Sequence, residues 1–366
     1  MLRGRLRRWR GPLRVLLAFV LLDLAALATA GVWERHSPDD YAARVVGCAK
    51  ERRDIVFVGG STVSEGIVPK EIVGANWNGD PLMNVYAVGL PGGTTSEFYH
   101  ALKRACPEPP KLLVYGITAS DLNDSRHEPH GPASLMSFGD TFDWAVSRPD
   151  SREWVVRQYL SARVSRASAL WRYRHGIRMA AAFRFEELFP GACPASAKEA
   201  RELRNYADAL ANGDGYAPAA ASVEQRYDHV KQVNGELPPF KFLDNYKTGS
   251  HRQYLHRLIR WTTDNRVSLV LVDMPVTADL EAKHAAAFAE YRLLLAEEET
   301  TRGLTVIRAH RDLVGITDAG FADTIHLNGV GATVLSRWLK GKLDELGREG
   351  TTDMPVVRAQ AGDGKP

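Results

Sequence analysis

Three polar residues at two distant points of the chain have the side-chain types that nucleophilic acyl transfer requires. Ser61 follows an apolar run and two glycines in "DIVFVGGSTVSEGIVP", and Asp323 and His326 lie three residues apart in "FADTIHLN". A serine hydroxyl is barely ionised near neutral pH, so a base must take its proton as it attacks an acyl carbon. A carboxylate can fix the tautomer of that base. The sequence predicts Ser61 as nucleophile, His326 as general base and Asp323 as the orienting group.

Each of the three residues also has a structural interpretation when it is taken alone. Ser61 could cap the helix that follows it, because serine is favoured at helix N-termini. His326 could be a structural histidine, and Asp323 a turn residue. The second glycine of the G-x-S-x-G nucleophile elbow is missing, because Val63 occupies its place. What favours catalysis is the predicted position of all three residues at one edge of one sheet.

The segments around these residues alternate between strand and helix patterns, which predicts parallel βαβ units. In a parallel sheet, ligands bind beyond the carboxyl ends of the strands. The loops "GGST", "GLPGGT", "GITASDLND", "DMPV" and "FADTIHLN" should therefore meet at one edge. The strands are predicted in "DIVFVGG", "PLMNVYAVGLPGG", "PKLLVYGITASD", "VSLVLVDMP" and "LTVIRA".

Sheet-forming segments lie on both sides of a region of different composition. We predict one α/β domain formed by residues 40–125 and 240–345, interrupted by a helical and loop insertion or cap at 126–239. The arginine- and tryptophan-rich stretch 152–184 could cover a membrane surface or line a glycan groove. It could also be an amphipathic helical pair packed on the sheet, which we favour. Residues 346–366 are predicted to be a mobile tail.

The N-terminal residues 1–33 predict a targeting or anchoring segment. Six arginines precede the apolar run Val15–Trp33, which is broken only by Asp23. The run is long enough to span a bilayer core of about 30 Å, and the arginines should stay on the cytoplasmic side. A single-pass anchor would leave the rest of the chain extracytoplasmic. Cleavage after Ala30 is the alternative, and the protein would then be secreted.

Charge and cysteine content narrow the function classes. The chain has 47 basic and 44 acidic residues, and the basic excess comes from the N-terminal arginines, so the body gives no reason to expect nucleic-acid binding. Cys48, Cys106 and Cys193 lack metal-ligand spacing; a disulfide between the first two and three free thiols are both open. The stretch "HEPH" at 127–130 is a weak metal signal. We predict no metal and no cofactor.

These motifs together resemble the SGNH hydrolase superfamily of GDSL-like esterases and acyltransferases. The resemblance rests on Ser61 after Gly-Gly, the glycine of "GLPGG", the polar block after "LLVYG" and the terminal D-x-x-H, and covers residues 54–123 and 268–339. The membrane-anchored layout, the insertion and "DTIHLNGVGA" look like the cell-surface branch related to alginate-type polysaccharide O-acetyltransferases and DltD-like proteins. The resemblance implies a three-layer, flavodoxin-like parallel sheet.

The resemblance also implies an oxyanion hole. Its donors would be the backbone N–H groups of Ser61 and Gly92. Family members often carry Gly-x-Asn-Asp in the third block, where this chain has "GITASDLND". The third donor is therefore the Thr118 hydroxyl, the Asn123 amide or absent. Pro275 could shape the pocket wall or be purely structural. Four further residues are near enough to matter but are expected as solvated loop positions: Glu65, Asp121, Asp124 and His127.

The function that follows by resemblance is serine-dependent acyl transfer at the bacterial inner membrane. The enzyme would be an O-acetyltransferase or acetylesterase for cell-envelope or secreted polysaccharide, acting through an acyl-Ser61 intermediate. Its expected partners are an acylated carbohydrate, the membrane and a membrane-bound acyltransferase, and no nucleic acid. The alternative is a catalytically silent accessory protein of the same fold that binds glycan or a membrane acyltransferase.

Overall fold

The computed structural model describes residues 2–36, 40–125, 136–147, 152–217, 224–234 and 240–353. The chain divides into two compact units, one formed by residues 1–39 and 156–208 and the other by residues 40–155 and 209–366. The chain passes between the two units at 155/156 and again at 208/209, and both points fall inside the predicted insertion. The insertion is thus shared between the two units, since 209–234 joins the sheet and 156–208 joins the N-terminal residues.

The second unit is built on a parallel sheet of five strands in the order β4-β1-β5-β6-β7. The predicted α/β fold with a parallel sheet is confirmed. A two-stranded antiparallel ribbon of β2 and β3 was not predicted. The strands are β1 (Ile55–Gly59), β2 (Ala75–Trp77), β3 (Asp80–Leu82), β4 (Val85–Gly89), β5 (Leu112–Ile117), β6 (Ser268–Asp273) and β7 (Thr305–Arg308).

Helices precede, separate and follow the strands, as the alternating sequence pattern predicts. Short 3-10 turns follow β5 and precede α12 and α16. The helices are α1 (Leu2–Ala28), α2 (Ala30–His36), α3 (Asp40–Ala49), α4 (Ser61–Gly66), α5 (Pro69–Ile72), α6 (Thr95–Ala105), α7 (Phe138–Ser147), α8 (Arg152–Ala167), α9 (Ala169–Leu188), α10 (Pro194–Asn212), α11 (Tyr227–Asn234), α12 (Ser250–Asp264), α13 (Ala278–Lys283), α14 (Ala285–Arg302), α15 (Arg311–Val314) and α16 (Gly329–Asp353).

The sheet has an apolar core on each face, because successive side chains of a strand point to opposite sides. In β1, Val56 and Val58 pack against α3, α6, α12 and α14. Ile55 and Phe57 pack on the other face against α4, α5, α16 and the ribbon. All five residues of β1 are buried, as expected for a central parallel strand. The unit is therefore a three-layer α/β arrangement.

In the first unit, α9 packs on α1 and α2. Gly176 allows the close approach, because a Cβ there would lie 2.3 Å from the Trp33 carbonyl oxygen. Of the stretch 152–184, for which packing on the sheet was favoured, residues 156–184 belong to this unit. In the part of the chain that the structure describes, no helix combines the length and the apolar character needed to cross a membrane.

The C-terminal helix extends further than the sequence predicts. Helix α16 continues to Asp353, so it extends into the predicted tail. Residues 354–366 lie outside the described residues, as do residues 127–130.

Cys48 and Cys106 are both buried and free. The pKa of the Cys106 thiol is raised well above its usual range, by a hydrogen bond with Cys48 and by burial. The two thiols therefore lie in contact without a disulfide.

Candidate active site

The structure brings the three predicted catalytic side chains into one hydrogen-bonded chain. His326 Nε2 lies 2.7 Å from Ser61 Oγ, and His326 Nδ1 lies 2.7 Å from Asp323 Oδ2. The other carboxylate oxygen, Asp323 Oδ1, accepts the backbone N–H groups of Ile325 and His326, both at 2.9 Å. Because an ionised carboxylate can only accept, Nδ1 carries the proton and Nε2 is left to accept the hydrogen of Ser61.

Ser61 is the first residue of α4, and the N-cap position is held by Gly60. The structural interpretation of Ser61 as the capping residue is therefore wrong. Its hydroxyl is half-buried at the carboxyl end of β1 and is directed to the histidine. A hydroxyl that bonds to a base across 265 residues of sequence, rather than to its own helix, is placed for nucleophilic attack.

Three glycines in register allow α4 to lie directly against the ends of three strands. Gly59 of β1 pairs with Gly89 of β4 and Gly116 of β5. A Cβ on Gly89 would come within 2.4 Å of Ser64 Cα, and one on Gly59 or Gly116 would come within 2.5 or 2.4 Å of Val63 Cγ2. Gly59, at the end of β1, is thus explained by this close approach. The contact also sets the distance of Ser61 from the end of the sheet.

A fully buried arginine of α3 forms a hydrogen bond with α4. The Arg44 guanidinium donates to Ser64 Oγ at 3.1 Å and to the carbonyl oxygens of Gly215 and Ala217. Gly215 itself approaches the backbone of Ala87 in β4 closely. The segment after α10 is therefore held beside α4, although no sequence motif marks it.

The loop that carries Asp323 and His326 is held by side chains on both of its ends. Asn328 is buried; its Nδ2 donates to the Gln225 and Ala319 carbonyl oxygens at 3.1 and 2.7 Å, and its Oδ1 accepts from the first N–H groups of α16. Gln225 Nε2 donates to the Ala322 carbonyl oxygen at 2.9 Å. The backbone N–H and the hydroxyl of Thr277 both donate to the Thr324 carbonyl oxygen. An asparagine directly before a predicted helix is an N-cap signal that could have identified Asn328.

The charges around His326 favour its protonated form. Burial lowers the pKa of His326, but the hydrogen bond to Asp323 and the charges of Asp323 and Glu65 outweigh burial, so the pKa lies above its usual 6.5. Burial raises the pKa of Asp323, but His326 and the two backbone N–H groups outweigh it, so that pKa lies below 3.8. The ionised Asp323 therefore stabilises the imidazolium that forms on His326 during proton transfer.

Of the proposed backbone oxyanion donors, Gly92 lies in a tight turn after β4. The Gly93 N–H donates to the Leu90 carbonyl oxygen at 2.9 Å, and Gly92 has φ +75°. Proline at the second position and glycine at the third are what such a turn requires, because the third residue needs positive φ. The N–H of Ser61 is at the first position of α4, where the helix itself provides no acceptor.

The two side chains considered as a third donor have other partners. The Thr118 hydroxyl lies 2.9 Å from Asp121 Oδ2 and, having one hydrogen, donates it to that carboxylate. Asn123 is fully buried; its Nδ2 donates to the Phe242 carbonyl oxygen at 2.7 Å, and its Oδ1 accepts from Ser125 and Lys247 N–H groups. In this structure both side chains therefore fix the loop after β5.

The sequence predicts Asp121 and Asp124 as solvated loop positions, but Asp121 is buried and Asp124 is half-buried. Asp121 is buried and accepts both the N–H and the hydroxyl of Thr118. Asp124 Oδ2 accepts the Ser250 N–H at 2.7 Å and Oδ1 the His251 N–H at 3.1 Å, so it caps α12. Pro275 is buried after β6. The roles of Asp121 and Asp124 are structural, because helix and turn N–H groups need acceptors.

Within the described residues, no group of three or more His, Cys, Asp or Glu side chains is placed to hold a metal ion. The "HEPH" stretch lies outside those residues. No protein-family model matches the chain, and no curated protein is significantly similar to it. The site is thus characterised by its geometry: a hydroxyl, an imidazole and a carboxylate in series at the carboxyl edge of a parallel sheet, an arrangement that can activate serine toward acyl carbon.

Proposed function

We propose that this protein is an SGNH-type serine enzyme that transfers or removes a small acyl group, an acetyl group in the favoured case, on cell-envelope or secreted polysaccharide. The observation that carries the proposal is the series of two 2.7 Å contacts from Ser61 through His326 to Asp323. The glycine-supported position of α4 at the carboxyl edge of the sheet adds to it, because such edges are where α/β folds bind ligands.

In the proposed mechanism, His326 Nε2 takes the hydroxyl proton of Ser61 as Oγ attacks the acyl carbon. The imidazolium is stabilised by Asp323 through Nδ1–H. The developing oxyanion accepts from the backbone N–H groups of Ser61 and Gly92, and each such donor contributes about 3 kcal/mol. Protonation of the leaving group by His326 completes the acyl-Ser61 intermediate.

The second step uses the same groups in reverse. His326 takes a proton from water or from a sugar hydroxyl, which attacks the acyl-enzyme and releases Ser61. The two acceptors define hydrolysis and transfer. A membrane-tethered, extracytoplasmic location is part of the proposal and rests on the sequence of Val15–Trp33. A membrane-bound acyltransferase that hands over the acyl group is the proposed partner.

The proposal is tested with the purified chain, a fluorophosphonate probe and an aryl acetate. Ser61→Ala and His326→Ala should each lower hydrolysis by about 10⁴-fold or more, and Ser61→Ala should abolish labelling. Ser161→Ala and His229→Ala are matched controls at exposed positions and should keep both. Addition of a glycan acceptor separates the two reactions, because only transfer produces acetylated sugar.

The accessory-protein alternative has one observation in its favour, which is the engagement of Thr118 and Asn123 with other partners. A silent protein needs no third oxyanion donor. It should neither label nor hydrolyse, and Ser61→Ala should retain its envelope function. Labelling of wild type at Ser61 excludes this alternative.

A further inference from the structure

A stripe of apolar side chains on α8 is exposed. Val156, Leu160 and Val164 are 41, 57 and 60% exposed. Their spacing of four residues places them on one face of the helix. A surface helix normally turns such a face to a core, so this one calls for a partner surface.

The region around the stripe carries strong positive charge. The stretch 152–188 contains eight arginines, no lysine and three glutamates, although the whole chain is nearly balanced with 47 basic and 44 acidic residues. All seven of these arginines whose side chains are described are exposed. An apolar stripe with arginines beside it is the composition of helices that lie in the interface of anionic bilayers.

The end of α8 is connected to the apolar N-terminal helix. Asp23 Oδ1 accepts the Ser168 hydroxyl at 2.7 Å and the Leu170 N–H at 2.9 Å. Around Asp23, the leucines of α1 are exposed, with Leu21 at 57% and Leu24 at 55%. Trp171 follows, half exposed, with Arg174 stacked 4.5 Å from its ring centroid. Exposed apolar surface therefore continues from α1 to the start of α9.

We propose that α8 lies on an anionic lipid bilayer, with Val156, Leu160 and Val164 in the acyl boundary and its arginines at the headgroup phosphates. A second copy of the chain fits less well, because a two-fold contact would bring one arginine-rich surface against its own copy. The proposal does not depend on the acyl-transfer reaction.

The test uses the full chain in vesicles, with Cys193→Ser as background because the other two cysteines are buried. A fluorescent NBD label on Leu160→Cys is quenched by doxyl-labelled lipid if the stripe enters the bilayer. Gln158→Cys, on the opposite face of α8, and Leu293→Cys, an exposed leucine of the sheet unit, are the controls.

In vesicles that contain phosphatidylglycerol, the label at 160 should be quenched at least about twofold more than either control. Vesicles of phosphatidylcholine alone, or Arg157→Gln with Arg163→Gln, should reduce that difference, since the headgroup attraction is then lost. Equal quenching at 160 and 293 overturns the proposal. So does a label at 160 that is shielded from water but not quenched, which would indicate a protein partner.

Discussion

At the residue scale, the protonation of His326 determines when the proposed site works. Its pKa lies above 6.5 because Asp323 and Glu65 outweigh burial, which lowers it. Only neutral imidazole can take the Ser61 proton, so kcat/KM for an aryl acetate should fall as pH decreases through a pKa above 6.5. A pH–rate profile measures this value.

Two variants separate the sources of the raised pKa. Glu65→Gln removes the more remote charge and should move the acid limb of the pH–rate profile to lower pH. Asp323→Asn should move it further and also reduce the rate.

The raised pKa of His326 also affects stability. Protonated His326 stabilises the fold below pH 6.5, and this contribution is lost as pH rises through the folded-state pKa. A limb below 6.5 in wild type would contradict the arrangement.

The Thr118 hydroxyl provides a second residue-scale prediction. Because it donates to Asp121, Thr118→Val should destabilise the loop by about 1 kcal/mol, as loss of a cap does. Acylation should slow far less than the roughly 100-fold that follows removal of an oxyanion donor. Thr118→Ser keeps the hydroxyl and serves as control. A 100-fold slower burst with unchanged melting temperature would instead assign Thr118 to the oxyanion hole.

At the element scale, the register of three glycines positions α4. Gly89→Ala would place a methyl group 2.4 Å from Ser64 Cα, so α4 must shift away from the sheet. We expect kcat/KM to fall by at least about tenfold, because small misplacements of a nucleophile are costly. Overpacking should also cost about 1–3 kcal/mol of stability.

The matched control is Gly341→Ala, an exposed position of α16 with no atom within 4 Å of the added Cβ. It should leave activity unchanged and stabilise the helix by about 0.5–1 kcal/mol. Equal activity of both variants would show that α4 tolerates displacement. Urea melts and steady-state assays on the same preparations distinguish the two effects.

The strands, the helices that cover them and the three residues of the candidate triad could be predicted, because each follows a local sequence pattern. Apolar runs ended by glycine mark β1, β4 and β5, and chain topology brings their ends together. Arg44 could not be predicted, since nothing local indicates that a surface-type residue is fully buried against Gly215. The role of Asp124 could not be predicted for the same reason, because the Ser250 N–H that it accepts lies 126 residues further along the chain. Asp121 accepts from Thr118 only three residues before it, so its burial, rather than its partner, depends on long-range contacts.

At the scale of the whole molecule, the sequence predicts an interruption of the sheet domain but not how it is divided. Residues 156–208 join the N-terminal residues, whereas 209–234 joins the sheet. The two divisions fall inside α8 and α10, so no linker marks them. The hydrogen bonds from Ser168 and Leu170 to Asp23, across 145 residues or more of sequence, could be found only in three dimensions.

Asp23 gives a prediction that separates the two units. Asp23→Ala removes the acceptor of the Ser168 hydroxyl and the Leu170 N–H, so the start of α9 should loosen by about 1 kcal/mol. Hydrogen exchange of the full chain in detergent should increase at residues 168–180. Asp23→Asn retains an acceptor oxygen and should change exchange less. Ser61, Asp323 and His326 all lie in the other unit, so aryl acetate hydrolysis should stay unchanged. Unaltered exchange would contradict the role of Asp23 at the start of α9. A loss of hydrolysis that matches the change in exchange would contradict the independence of the two units.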